Sequence, residues 1–565
     1  MTSLHGLVPH PALLLIAGAL LLPLLRGRAR SVAILALPAL ALAALWLLPD
    51  GVLWRVHWLG YPLTPLAVDR LSRLFASIFL LLAGIGGLFA LRQESRLEIP
   101  AAYLYAGAAV GVTLAADLIS VFLFWECMAI GSTLVLWSAG TPAAWTASRR
   151  YVGVHLAGGM LLFAGVAGQI LGTGDTGFHV MRLDSPASWL ILAGFLVNAG
   201  APPLSAWLPD AYPEASWSGM VFLSAFTTKT AVYVLLRGFP GTELLIWIGL
   251  FMIFYGIVYA LLENDMRRIL AYSIVNQVGF MVTGIGIGSE MALNGAAAHA
   301  FTHILYKALL LMSAGAVLAA TGRRKCSELG GLFHSMPVTT LCGIIGALAI
   351  SAFPLTSGFV SKSLVSQAAA DAQLQGVWLL LAAASAGVFL HAGIKFPWFV
   401  FFQKDSGLRP ADPPASLRWA MLLLAFLCIA LGIWPDPLYA LLPYPVAYVP
   451  YTAAHVVTQL QLLLFSGLAF FVMLDHLRRT PTITLDFDWL WRVAGPALAG
   501  VARARVRAAR ARLARGLTGL GRRAGAWILR NRAPDGLLLR SWSSGSMSLW
   551  VMLVLMAYLA LYYLG

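Results

Sequence analysis

Only six of the 38 basic residues are lysines, and four of those, Lys229, Lys307, Lys362 and Lys395, lie inside strongly apolar stretches. Nearly every arginine sits between such stretches or in one basic segment near the C-terminus. Arginine keeps its charge in almost any surroundings, whereas a lysine taken out of water releases its proton readily. A chain that uses arginine for ordinary charge and keeps lysine for apolar runs is equipped to move protons. Glu126 adds a carboxylate within Phe124-Trp125-Glu126-Cys127-Met128. At a bilayer centre such a group costs a few kcal/mol, so it must be protonated, hydrated or paired. Lys229, in Phe226-Thr227-Thr228-Lys229-Thr230, is its natural counter-charge. At ~4 Å and an effective dielectric near 20 the pair is worth up to roughly 4 kcal/mol. Separating the two by a few ångströms then decides whether the amine keeps its proton. Pinning of one helix to another, without transport, is the plainer alternative for both residues.

His299, His303 and Lys307 recur at i, i+4 and i+8 and so share one helix face. Two imidazoles beside an amine form a relay with water, because imidazole titrates near physiological pH. Structural histidines are the other reading, and a metal site is not completed by any nearby carboxylate or Cys. Lys362 follows an interruption containing Pro354 and Gly358, where freed carbonyls and water open a path beside the amine. His391 and Lys395 form a second i, i+4 pair, although Lys395 lies close enough to a helix end to snorkel out instead. Lys395, His391, Asn198 and Asp117 are the secondary candidates, and no metal or cofactor is expected.

The elements that position these groups are membrane helices. Of 565 residues, 60% are hydrophobic and 11% charged, with a mean hydropathy of +0.82; soluble domains carry about 25% charged residues. The net charge of +15 fits the positive-inside bias of membrane proteins, not nucleic-acid binding. Four cysteines without CxxC spacing read as packing residues. The N-terminal MTSLHGLVPHP has neither a basic n-region nor a cleavage site, so the first apolar run is expected to be retained.

About 16 spans are predicted: 11–25, 31–48, 69–91, 101–115, 117–139, 148–172, 187–208, 216–237, 243–263, 267–288, 291–320, 336–370, 377–402, 416–434, 455–475 and 547–564. Connections after odd-numbered spans carry the basic residues, for example Arg149 and Arg150, Arg267 and Arg268, Arg323 to Lys325, and Arg478 and Arg479. Both termini are therefore expected outside an inner (plasma) membrane, with the basic connections cytoplasmic. The chain divides into N-terminal helices (1–100), a first repeat (101–240), a second repeat (241–402), further core helices (403–480), a basic segment (481–540) and a final span (541–565).

Two spans are interrupted in similar words, Ala-Pro-Pro-Leu-Ser-Ala-Trp-Leu at 201–208, with Pro202 and Pro203, and Ala-Phe-Pro-Leu-Thr-Ser-Gly-Phe at 352–359. Being five spans apart, they cross in opposite directions, as inverted repeats around a midplane ion site do. Between 496 and 532, ten arginines accompany a helical stripe of Val506, Leu513, Leu517, Leu520, Trp527 and Ile528, with no acidic residue. This predicts an amphipathic interfacial helix on the cytoplasmic side, ending near Pro534 and held by anionic lipid or clasping neighbouring subunits.

The segments FWECM (124–128), WLPDAYPEA (207–215), KTAVYVLLR (229–237), ENDMRRILAYSIVNQVGF (263–280), HAFTHILYKALLLMSAGAV (299–317) and FPLTSGFVSK (353–362) occur in order over roughly residues 65–435. Together they resemble the antiporter-like membrane subunits shared by respiratory complex I, membrane-bound hydrogenases and Mrp-type Na+/H+ antiporters. The resemblance implies an all-α fold with a 14-helix core, two inverted five-helix repeats with broken helices, and a lateral helix with a final span. It also implies a proton pathway of Glu126, Lys229, His299, His303, Lys307 and Lys362. The family usually has lysine five residues before the proline of the first break; here Asn198 stands five before Pro203. Asparagine carries no proton, so either Lys229 is the sole amine partner of Glu126, the favoured reading, or the first half-channel is altered. LPDAYPEA, KFPWFVFF (395–402) and LDFDWLWR (485–492) look most like the D-type component of Mrp antiporters.

The expectation is a proton-translocating member of a multisubunit complex, exchanging H+ for Na+ or another monovalent cation and partnered by other membrane subunits. The alternative is a proton-pumping part of an NADH:quinone oxidoreductase or hydrogenase whose redox chemistry sits in partner chains. A non-conducting scaffold is a third class. The chain has no cysteine framework or glycine-rich strand–helix motif for redox cofactors, and so no catalytic chemistry of its own is read.

Overall fold

The computed structural model describes residues 9–475, 486, 489–532 and 542–564. Residues 1–8, Arg478 and Arg479, most of 485–488, and Pro534 lie outside the described residues, so the expectations resting on them stand as sequence readings. Two compact units divide the chain, Met1–Asp488 and Trp489–Gly565. The first opens with α1 (Pro11–Leu21), α2 (Gly27–Leu47), α3 (Arg70–Phe89), α4 (Glu98–Leu114), α5 (Leu118–Trp137), α6 (Pro142–Thr173) and α7 (Pro186–Ala199). It continues with α8 (Trp207–Ala211), α9 (Gly219–Ala225), α10 (Thr227–Gly238), α11 (Leu244–Leu262), α12 (Met266–Ile287) and α13 (Glu290–Thr321). Then follow α14 (Pro337–Ile350), α15 (Ser357–Asp371), α16 (Gln375–Val388), α17 (Ala415–Ile433), α18 (Asp436–Tyr439) and α19 (Ala453–Val472). Twelve helical segments among the described residues are long and apolar enough to cross a membrane, and α7 and α14 are shorter apolar helices.

The connection between α2 and α3 is an addition to the expected all-helical architecture. It forms an antiparallel hairpin of β1 (Gly51–Trp58) and β2 (Tyr61–Val68). Leu59 (φ 48°) and Gly60 (φ 84°) make the two-residue left-handed turn that suits twisted strands. The aromatic and β-branched residues on either side supply the strand preference. Asp117 secures this hairpin: one carboxylate oxygen accepts the Thr64 amide (2.7 Å) and the other caps α5 through the Ser120 amide (2.7 Å). A residue read as a secondary pathway candidate is thus committed to backbone.

Repetition is written into the backbone. Leu118 N–H bonds Thr176 O and Phe178 N–H bonds Ala116 O; 148 positions later Met266 N–H bonds Arg324 O and Cys326 N–H bonds Asn264 O. The isolated bridges Asp117–Gly177 and Asp265–Lys325 keep the same spacing. Helices α6 and α13 are both 32 residues long. A hydroxyl caps each start (Thr141, Ser289), and a left-handed glycine (Gly174, Gly322) ends each. Thr141 with Pro142 at the first helical position explains why α6 begins before the expected residue 148.

Both predicted breaks are real and share one geometry. After α7, Gly200 N–H bonds Val197 O and Ala201 N–H bonds Leu196 O; after α14, Ala352 N–H bonds Ala349 O and Phe353 N–H bonds Leu348 O. Each is a Schellman ending with its left-handed residue at Gly200 (φ 79°) or Ala352 (φ 55°). Further turns recur in step, Leu204 to Ala201 beside Thr356 to Phe353, then Trp207 to Leu204 beside Phe359 to Thr356. The spacing is 152, so Ala201 matches Phe353 and Pro202 matches Pro354, one position off the match suggested by the words of the sequence. The turn's hydrogen bonds set the register, and side-chain likeness follows only loosely.

Within the second unit, α20 (Gly495–Asn531) runs 37 residues, about 55 Å at ~1.5 Å per residue. Its Val506, Leu513, Leu517, Leu520, Trp527 and Ile528 are all exposed, as is nearly every residue of the helix. The final helix, α21 (Ser544–Leu564), is long and apolar enough to cross a membrane.

A buried row of amines and imidazoles

Lys229 sits at a bend that its own neighbourhood does not announce. The predicted 216–237 span is interrupted between α9 and α10 at Phe226, with neither Pro nor Gly at the site. The cause is Tyr105 on α4, whose hydroxyl accepts the Thr227 amide (2.8 Å), donates to Leu223 O (3.4 Å) and meets the Thr227 hydroxyl (2.5 Å). Leu223 and Thr227 are an i, i+4 pair, so the phenol is wedged into the helical ladder. The next carbonyl, Ser224 O, is left to Lys229, whose amine donates to it (2.6 Å) and to the Thr228 hydroxyl (3.1 Å).

Glu126, the counter-charge expected for Lys229 from the sequence, forms no ion pair with it among the described residues. Glu126 Oε1 is buried with no hydrogen-bond partner among the described residues. It lies against Gly159 of α6, where a Cβ would come within 2.4 Å of it. Asn198, on the facing end of α7, also holds a buried, unpartnered Oδ1.

The second half is more continuous. Lys307 is fully buried and donates to the Ser273 hydroxyl (2.8 Å) and Leu270 O (3.2 Å) on α12. One turn away His303 has two buried nitrogens without partners, its ring 5.3 Å from Tyr306 and stacked toward His299 at 6.1 Å. His299 Nδ1 pairs with the Ser361 hydroxyl (3.0 Å) and its Nε2 with Gln277 Oε1 (3.1 Å). Gln277 donates to Asn276 Oδ1 (2.5 Å), and Asn276 Nδ2 pairs with His391 Nε2 (2.8 Å). The predicted common face of His299, His303 and Lys307 is thus buried, and its His299 is joined to His391 through Gln277 and Asn276, links the sequence reading passed over. The two amides orient the imidazoles; having no exchangeable acid–base step, they do not relay a proton themselves.

Lys362 donates to Ile350 O (2.7 Å), the last residue of α14, and lies 4.9 Å over the Phe280 ring. Gly358 makes this approach sterically allowed, because a Cβ there would fall 1.8 Å from Ala349 O. Lys395 does not snorkel. It is buried in a π-helical stretch, Phe389–Lys395, and donates to Ala260 O (3.2 Å), Leu261 O and Glu263 O (2.6 Å) at the end of α11. Three of the four buried amines therefore face the carbonyl end of a helix, where the backbone carries partial negative charge.

His155 escaped the sequence reading, although it interrupts the apolar run of α6 just as His299 and His303 interrupt α13. It is buried, with Nε2 unpartnered. Glu98 was missed as well. It is a buried carboxylate at the start of α4, accepting from the nearby Gln93 and from Ser138, Ser216 and Ser218 of distant segments.

The family described as "NADH:quinone oxidoreductase/Mrp antiporter, TM" matches residues 115–390, which contain every buried amine except Lys395. The chain is 31% identical over 335 residues to the D component of the Na(+)/H(+) antiporter of Alkalihalophilus pseudofirmus, covering 54% of this chain and 67% of that one. It is 29% identical over 421 residues to the A/B component of a probable K(+)/H(+) antiporter of Rhizobium meliloti, covering 68% of this chain but 42% of that longer protein. A chain of an archaeal membrane-bound sulfane sulfur reductase has the same fold, with a TM-score of 0.71 at 22% identity over 98% of this chain and 99% of that chain. Repeated backbone pattern, two broken helices and buried amines thus coincide with sequence kinship, and the chain belongs to the NADH:quinone oxidoreductase/Mrp antiporter family as one of its antiporter-like, multi-pass membrane subunits.

Proposed function

We propose that the chain translocates protons within a larger membrane complex and exchanges them for a monovalent cation, Na+ first among them. The supporting observation is the set of buried amines held by carbonyls and hydroxyls, with imidazoles of unmet hydrogen-bonding capacity beside them. An ammonium there gains only part of what it loses in leaving water, so its proton is exchangeable and not locked in an ion pair. Buried polar atoms are normally satisfied, and water is the partner we assign to the unmet atoms of His303, of Glu126 and of Asn198. Protons then pass among Glu126, Lys229, Lys307 and Lys362, with His299 and His303 as intermediates. The topology proposed is an inner (plasma) membrane protein with both termini outside and the arginine-rich α20 on the cytoplasmic side, following the placement of basic connections.

A second reading, a proton pump powered by redox partner chains, draws support from the full-length likeness to the reductase chain. Purification of the native complex separates the two: redox subunits co-purify under the second reading, and sodium alone drives a pH change in vesicles under the first. The test of the shared path is Lys307→Ala and Lys362→Ala in the reconstituted complex. Proton uptake is lost in both while assembly persists; uptake at the wild-type rate in both variants would rule the path out.

A further inference from the structure

We propose that His155 is the proton carrier of the first half, bridging Glu126 and Lys229, in a place where Asn198 offers no titratable group. This rests on the proton-path reading above.

Three buried, unpartnered polar atoms converge on one face of α6: Glu126 Oε1 from α5, Asn198 Oδ1 from α7 and His155 Nε2 from α6 itself. Glu126 Oε1 lies 2.4 Å, and Asn198 Oδ1 3.8 Å, from where Cβ atoms would stand at Gly159 and Gly158, one turn beyond His155. Asn198 is the polar side chain acting on the His155 ring. The glycines leave room for the carboxylate and the amide on the helix face that carries the imidazole. The ring is flanked by Tyr151 (4.0 Å between centroids) and Trp207 (4.7 Å), and aromatic faces favour a positive charge beside them. Tyr151, against the His155 ring, also stands next to Thr227, two residues from Lys229.

The repeat supplies a second, independent argument. At the 148-residue spacing that relates α6 to α13, His155 falls on His303 and Tyr151 on His299. His303 has both ring nitrogens unpartnered, and His391 in the same buried row has one. The two halves therefore place an underbonded histidine at the same point of the same helix.

The experiment uses the complete complex in proteoliposomes, with Lys307→Ala as the reference for a dead path and assembly followed by native gel. His155→Gln keeps a hydrogen-bonding side chain but removes the titrating group; proton uptake falls to the Lys307→Ala level. Adding Asn198→Lys to His155→Gln returns a titrating group to the same cluster and restores uptake, which a packing role for the histidine does not predict. Wild-type uptake in His155→Gln beside a dead Lys307→Ala overturns the assignment alone, as does failure of the added amine to rescue. Wild-type uptake in Lys307→Ala overturns the proton-path reading itself, and the assignment with it. If His155→Gln does not assemble, Asn198→Lys alone decides. A second cation beside a histidine that must charge, with Glu126, Tyr151 and Trp207 as its other neighbours, moves the pH profile of uptake toward acid; an unmoved profile overturns the assignment.

Discussion

Lys229, Lys362 and Lys395 are held in one manner, each amine donating to carbonyls at a helix end. The terminus contributes up to about 2 kcal/mol in partly buried settings, against several kcal/mol for taking the charge out of water. In the proposed path, that imbalance is what makes the proton exchangeable at Lys229 and Lys362. At Lys395, three carbonyls of the α11 end share the amine, so its share is also structural. Lys395→Met leaves those carbonyls unmet and costs about 1–3 kcal/mol, read as a lower melting temperature of the purified complex. Tyr105→Phe removes the hydroxyl that bends α9 into α10. The loss of about 1–3 kcal/mol of support for the bend lowers proton uptake about tenfold while the complex still assembles. The amines and the His299–His303–Lys307 face were legible because polar residues in apolar runs stand out. Whether Glu126 touches Lys229 was not, since the bend at Phe226 that turns the amine to Ser224 O is imposed by the distant Tyr105.

Breaks in helices divide into those written locally and those imposed from afar. Pro202, Pro203, Pro354 and Gly358 mark the two Schellman endings in the sequence itself. The bend at Phe226 comes from a phenol more than a hundred residues away, so no local rule finds it. The β1–β2 hairpin carried a readable turn and strand pattern, but its place between two apolar runs made it look like a connection. Ala352 occupies a left-handed position that glycine fills in the first break. Ala352→Gly relieves about 1 kcal/mol of backbone strain and raises the melting temperature. Gly358→Ala acts in the other direction: a methyl 1.8 Å from Ala349 O forces α15 away from α14, with loss of both stability and the Lys362–Ile350 contact.

At the scale of the whole molecule, charge is divided by residue type. The core keeps lysine at its centre, and α20 carries Arg503, Arg505, Arg507, Arg510, Arg512, Arg515, Arg522, Arg523 and Arg530 with no acid along its length. Attraction to anionic lipid is worth about 1 kcal/mol per basic residue near the surface. A peptide spanning 495–532 therefore binds vesicles containing phosphatidylglycerol, and replacing four of the arginines by glutamine weakens binding steeply at low salt. This segment was legible almost entirely from composition, because an arginine-rich amphipathic stripe leaves few structural choices.

The Tyr105 wedge also has a bearing on biogenesis. A hairpin of α9 and α10 entering the bilayer before α4 has docked lacks the phenol, keeps an unbroken ladder and offers Lys229 no open carbonyl. The carbonyl geometry around Lys229 thus comes into being only when distant parts of the chain have met, so that on the proposed path half-built copies in the membrane are spared from becoming leaks.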